Sequence, residues 1–100
     1  MVTSYTLHMI MTFQHKGLKR LFELGDRSKV FQEGVDKIER ILARLEESED
    51  VHDMALPGFR FHQMKGNREG FWSVAVTGNW RIIFRFENGH AFDVDLIDYH

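Results

Sequence analysis

From Gly70 to His100 the chain alternates apolar and polar residues, and this stretch predicts a sheet that the upstream segments cover. It reads as strand, turn, strand, turn, strand and a short polar tail. Asn88-Gly89 is the usual signature of a two-residue hairpin. That loop would set Ile83 against Val94 and Ile82 against Asp95, mixing apolar and charged residues on both faces. Because one residue of slip exchanges the faces, the pattern predicts a three-residue loop Glu87-Asn88-Gly89, with Gly89 left-handed. Phe84 then faces Phe92, Ile82 faces Val94 and Trp80 faces Leu96. Treating Thr77-Gly78-Asn79 in the same way adds Trp72, Val74 and Val76 to that face. The opposite, open face then carries Arg81 across from Asp95, Ile83 across from Asp93, and Arg85.

Upstream, the short apolar run Met9 to Phe13 predicts a first strand. His15 to Leu24 places Leu18, Leu21 and Phe22 at i, i+3 and i+4, with Gly25 as a C-terminal stop, so it predicts an amphipathic helix. A turn over Gly25-Asp26-Arg27-Ser28 offers Asp26 or Ser28 as a cap. The stripe Phe31, Val35, Ile38, Ile41, Leu42 and Leu45 predicts a second helix, with Gly34 inside it at a cost of about 1 kcal/mol relative to alanine. Ser48 to Gly58 is an acidic connection that turns at Leu56-Pro57-Gly58. Phe59 to Met64 alternates again, with Phe59 and Phe61 on one side and Arg60, His62 and Met64 on the other, and Lys65 to Gly70 forms a loop. The resulting order is one strand, two helices and about four strands. It predicts an α+β domain with the helices on one face of a mainly antiparallel sheet of four to five strands.

Composition narrows this picture. One hundred residues, 43% of them hydrophobic, suffice for a single core and not for a second. The absence of cysteine removes disulfides and thiolate metal sites, which fits a cytoplasmic protein. No basic and apolar leader and no membrane-spanning run is expected, and no membrane partner. The net charge of −2 is unevenly spread: Glu23 to Asp53 holds ten acidic against five basic residues, whereas Arg60 to Arg85 holds Arg60, Lys65, Arg68, Arg81 and Arg85 against Glu69 alone. A polyanion would meet the sheet, although asymmetry of this size is also common on solvated surfaces.

The open face brings candidate chemistry from distant parts of the sequence: His62, Lys65, Arg81, Arg85, and Asp98-Tyr99-His100. Histidine suits proton transfer near neutral pH. Arginine and lysine suit a phosphate that gains charge in a transition state, and Tyr99 suits stacking on a base. The combination fits metal-free RNA cleavage, in which a ribose 2′-hydroxyl attacks the adjacent phosphate. Each residue also has a plainer role. His62 could be a hydrogen-bonded surface histidine, Arg81 and Asp95 a cross-strand ion pair worth under about 1 kcal/mol, and the terminal triplet a frayed end. His8, His15, His52 and His90 fall at helix ends or turns and are assigned no function. Asp93, Asp95 and Asp98 form no recognised metal-ligand pattern, and no cofactor is implied.

The segments MIMTFQHKGLKRLFE, LPGFRFHQMKGNREGFWSV and GNWRIIFRF, with the terminal DYH, resemble in order the HigB, or plasmid-maintenance killer, toxins of the RelE superfamily. The resemblance spans residues 9–100. Members usually begin where Met9 stands, which leaves residues 1–8 as an N-terminal extension. What it implies is a RelE-like fold and the toxin of a type II toxin-antitoxin pair, an endoribonuclease that enters the A site of the 30S ribosomal subunit and cuts translated mRNA. A helix-turn-helix antitoxin of the HigA type would be its partner, and operator DNA would be reached only through that antitoxin. His62 and Lys65 match the family's H-x-x-K-G segment, Arg81 the arginine after its tryptophan, and Asp98, Tyr99 and His100 its terminal triplet. On that resemblance Lys65 and Arg81 hold the phosphate, His62 and His100 are candidates for proton transfer, and Asp98 and Tyr99 orient the nucleotide or a histidine. The alternative is a toxin-like module with little or no cleavage that binds its antitoxin and serves in operon autoregulation.

Overall fold

Two helices form where the apolar spacing predicts them, and their ends have physical causes. In a computed structural model that describes residues 8–99, helix α1 spans Lys16–Leu24. It opens at His15, whose Nδ1 accepts the Leu18 N–H at 3.1 Å, and stops at Gly25, left-handed at φ 71°. Helix α2 spans Val35–Glu47. It starts later than the stripe suggested, leaving Phe31 outside it and Gly34 at its N-cap. A Cβ on Gly34 would stand 2.5 Å from the Phe31 ring, so the ring's close approach is what requires glycine there. Phe31 in turn lies against Trp80, with centroids 5.1 Å apart.

The sheet is antiparallel and ordered β1-β2-β3-β4, with β1 His62–Gln63, β2 Trp72–Thr77, β3 Trp80–Glu87 and β4 His90–Asp98. Leu18 and Leu21 of α1 and Ile38, Ile41, Leu42 and Leu45 of α2 are buried against Val74, Val76, Ile82, Phe84, Val94 and Leu96. These strand residues are the apolar alternates, so both helices cover one face of the sheet and the α+β architecture holds. No helix among the described residues is long and apolar enough to cross a membrane.

Both predicted odd loops need correcting. Glu87 pairs directly with His90, leaving a two-residue turn with Asn88 at φ 53° and Gly89 at φ 79°, the conformation that Asn-Gly favours. The apolar face survives because β4 carries an extra residue beyond the turn. Arg85 pairs with Phe92 but Ile83 pairs with Asp95, and Asp93 between them has φ 55°. The first turn works in the same way. Thr77 pairs with Trp80 across Gly78-Asn79, and a shift between Ala75 and Thr77 restores Val74 to Ile82 and Trp72 to Phe84. Partners change on both sides: Ile82 meets Leu96 and not Val94, Trp80 meets Asp98 and not Leu96, and Phe92 lies across from Arg85 and not Phe84. Arg81 pairs with Ile97, not Asp95, and Asp95 lies across from Ile83.

Two predicted strands are also shorter than expected. Met9 to Phe13 makes only two isolated parallel bridges to β4, Ile10 to Ala91 and Phe13 to Val94. Backbone bonds tie it to Ala91 and Val94, from Met11 N–H to the Ala91 carbonyl at 2.8 Å and from Gln14 N–H to the Val94 carbonyl at 2.8 Å, and side chains add to them. The Glu46 carboxylate accepts the N–H groups of Met9 and Ile10 at 3.0 and 3.1 Å, and Thr12 and Gln14 donate to Asp93. Phe59 to Met64 keeps only His62–Gln63 as strand, since Arg60 breaks the ladder at φ 50°. Residues 1–7 of the expected extension lie outside the described residues.

Candidate active site

The face away from the helices is built in cross-strand rows. His62, Ser73, Ile83 and Asp95 are successive register partners across the four strands, and Ala75, Arg81 and Ile97 form the next row. Arg81 lies two residues before Ile83 in β3, at the alternate position, so it shares the face of His62. Much of this face is buried even though no helix covers it: Ser73, Ala75, Ile83 and Met64 are all enclosed.

Arg81 is the electrostatic centre of the face. Its Nε and Nη1 are buried without a hydrogen-bond partner, and its Cζ lies 5.2 Å from the centre of the Tyr99 ring. Other arginines are neutralised: Arg20 by Asp26, Arg27 by Asp36 and Glu39, and Arg85 by Asp93 and Glu87. A buried donor left unpaired costs roughly 1–3 kcal/mol. A planar guanidinium with open donors, backed by an aromatic ring, is matched to a phosphate. Tyr99 is 43% exposed, and its backbone N–H donates to the Asn79 carbonyl at 2.7 Å, which ties the tail to the β2–β3 turn.

His62 is exposed on the edge strand, and its Nδ1 is 3.0 Å from the carbonyl oxygen of Arg60. A carbonyl only accepts, so this contact is a hydrogen bond in the Nδ1–H tautomer. On the core side the strand is braced by Phe61, stacked parallel on Trp72 at 4.8 Å, with His52 edge-on to both rings. Lys65 is exposed where β1 has ended and borders a depression of about 350 Å³ with Gln63, Met64 and Glu69.

The fold therefore brings His62, Arg81 and Tyr99 to one face and sets Lys65 at its β1 margin. Asp98 is exposed and pairs with Trp80, so it alternates away from Arg81. Arg85, read from the sequence as a free cation, is occupied: its Nε and Nη2 donate to Asp93 at 2.9 and 2.7 Å. His100 lies outside the described residues. Sequence reasoning missed Ser73, whose buried Oγ has no partner and whose position opposite His62 was available from alternation. It also missed the Arg60 carbonyl, for which side-chain patterning carries no signal.

Comparison with known proteins adds a second line. The family described as RelE-like toxin of type II toxin-antitoxin system HigB matches residues 11–100. Endoribonuclease HigB of Proteus vulgaris is 42% identical over 92 residues, covering 92% of this chain and 100% of that protein. Toxin HigB-1 of Vibrio cholerae serotype O1 is 28% identical over 90 residues, covering 88% of this chain and 95% of that protein.

Proposed function

The chain belongs to the HigB family of RelE-like type II toxins, and from that premise we propose that it is an endoribonuclease that cuts translated mRNA on the ribosome. The reaction is attack of a 2′-hydroxyl on the adjacent phosphate. Arg81 and Lys65 receive the phosphate, with Arg81 gaining most as negative charge builds on the non-bridging oxygens. His62 and His100 carry protons to and from the reacting oxygens. Tyr99 offers a ring on which a base or the Arg81 guanidinium stacks, and Asp98 orients the nucleotide from the margin. The 30S A site supplies the alignment that a shallow, open face lacks. As a type II toxin the protein has an antitoxin partner. We assign that partner to the helix-turn-helix HigA type, through which the pair reaches operator DNA, and we place the activity in the cytoplasm, where mRNA is translated.

The observation that carries this reading is the pair of Arg81 donors, Nε and Nη1, buried without a hydrogen-bond partner. Arg81→Ala is therefore expected to lower mRNA cleavage by about 100-fold or more while the variant still binds the antitoxin. Induced cultures mapped for new mRNA 5′ ends, with a parallel pull-down, make the test. Wild-type cultures without new ends inside translated codons would overturn the nuclease, and loss of the complex in the variant would make Arg81 structural.

A further inference from the structure

Three non-glycine residues among those described have positive φ: Arg60 at 50°, Asn88 at 53° and Asp93 at 55°. Asparagine and aspartate tolerate this region, whereas arginine does so poorly. The strain at Arg60 therefore calls for a cause in its surroundings.

The ladder between β1 and β2 supplies the cause. Gln63 lies opposite Trp72, His62 opposite Ser73, and the Met64 N–H donates to the Phe71 carbonyl at 2.8 Å. Continued regularly, the alternation of antiparallel bonds would have the Arg60 carbonyl accept the Ala75 N–H. Phe59 takes that bond instead, at 2.6 Å. Arg60 is thus the additional residue of a bulge, and its released carbonyl turns to Nδ1 of His62 at 3.0 Å. The same relation recurs at the β3–β4 turn, where left-handed Asn88 presents its carbonyl to Nδ1 of His90 at 3.0 Å. In both places a left-handed residue sets its carbonyl against the ring of the histidine two positions on. At Asn88 the backbone comes easily; at Arg60 it is held against the residue's preference, beside the predicted chemistry.

We propose that Arg60 is a positioning residue, whose left-handed bulge locks His62 in the Nδ1–H tautomer and so commits Nε2 to accept the 2′-hydroxyl proton. The proposal rests on the reading of His62 as a proton-transfer group. In the step, Nε2 takes the proton, the 2′-oxygen forms its bond to phosphorus, and the bond to the 5′-oxygen breaks. That oxygen takes a proton from a second group, His100 in the reading above, leaving a 2′,3′-cyclic phosphate.

The test is a long-range ¹⁵N–¹H correlation spectrum of the imidazoles in the full chain, with His62 assigned by its loss in His62→Gln. The expected result is Nδ1–H for wild type and for Arg60→Gly, which permits positive φ, with cleavage of ribosome-bound mRNA unchanged in that variant within about twofold. Arg60→Val, which resists positive φ, is expected to move His62 toward Nε2–H and to slow cleavage by about tenfold or more, antitoxin binding persisting. An Nε2–H tautomer in wild type would overturn the proposal alone, and does not depend on any variant folding. Wild-type cleavage by His62→Gln would instead overturn the reading on which it rests.

Discussion

At the scale of single residues, the site turns on what Arg81 does not touch. The sequence placed it opposite Asp95, where its charge would be half spent on a neighbour. The two-residue turn and the extra residue in β4 together move its partner to Ile97 and leave the guanidinium against Tyr99. The residue types of the site were legible, because histidine, lysine, arginine and tyrosine advertise their chemistry. The freedom of Arg81 was not legible, because it depends on a one-residue irregularity that no side-chain pattern announces. Tyr99 makes a direct prediction. If its ring is what supports the guanidinium and a stacked base, Tyr99→Phe retains cleavage within a few-fold, and Tyr99→Ala loses about tenfold or more. Single-turnover cleavage on mRNA-programmed ribosomes separates the two, and equal losses would assign the role to the hydroxyl.

At the scale of elements, three irregularities shape the sheet, at Arg60, at Asp93 and between Ala75 and Thr77, and Asp93 is anchored from several sides. Its N–H donates to the Thr12 hydroxyl at 2.7 Å, while its carboxylate accepts from Arg85 and Gln14. Hydrogen bonding to Arg85, then to Gln14, holds its pKa below the ordinary carboxylate value. A depressed folded pKa means that this contribution is complete above the unfolded value, about pH 4, and is lost as pH falls through the folded one. Asp93→Asn keeps a residue tolerant of positive φ and removes the charge. It is expected to lower the urea midpoint at neutral pH, with the difference from wild type shrinking below about pH 4. A difference that stays constant down to pH 2 would place the effect elsewhere. The helices were legible almost to their ends because a buried stripe repeats at a fixed period. The bulges were not, since their positions follow from how Thr12 and the Phe59 carbonyl meet the sheet across long sequence separations.

At the scale of the whole molecule, the alternation that predicted one apolar face proved sound even where the loops did not, since burial constrains which side a residue takes more firmly than which residue it meets. Among the described residues Phe84, in β3, is the largest fully buried side chain, and it belongs to the core that both helices share. Phe84→Ala is expected to cost about 3–5 kcal/mol, a large share of the roughly 5–15 kcal/mol that holds a small domain folded. Equilibrium urea denaturation measures it, and a loss under about 1 kcal/mol would show that the core closes over the space more readily than such cores do.

The bridge between Ile10 and Ala91 also has a meaning in time. Eighty or so residues of chain separate two partners that must lie side by side, and contacts of such high order form late because their loop must close first. The segment at Ile10 can reach Glu46 early, but it finds its sheet partner only once β4 is in place. The seam between the segment at Ile10 and β4 is therefore among the last parts of the fold to close.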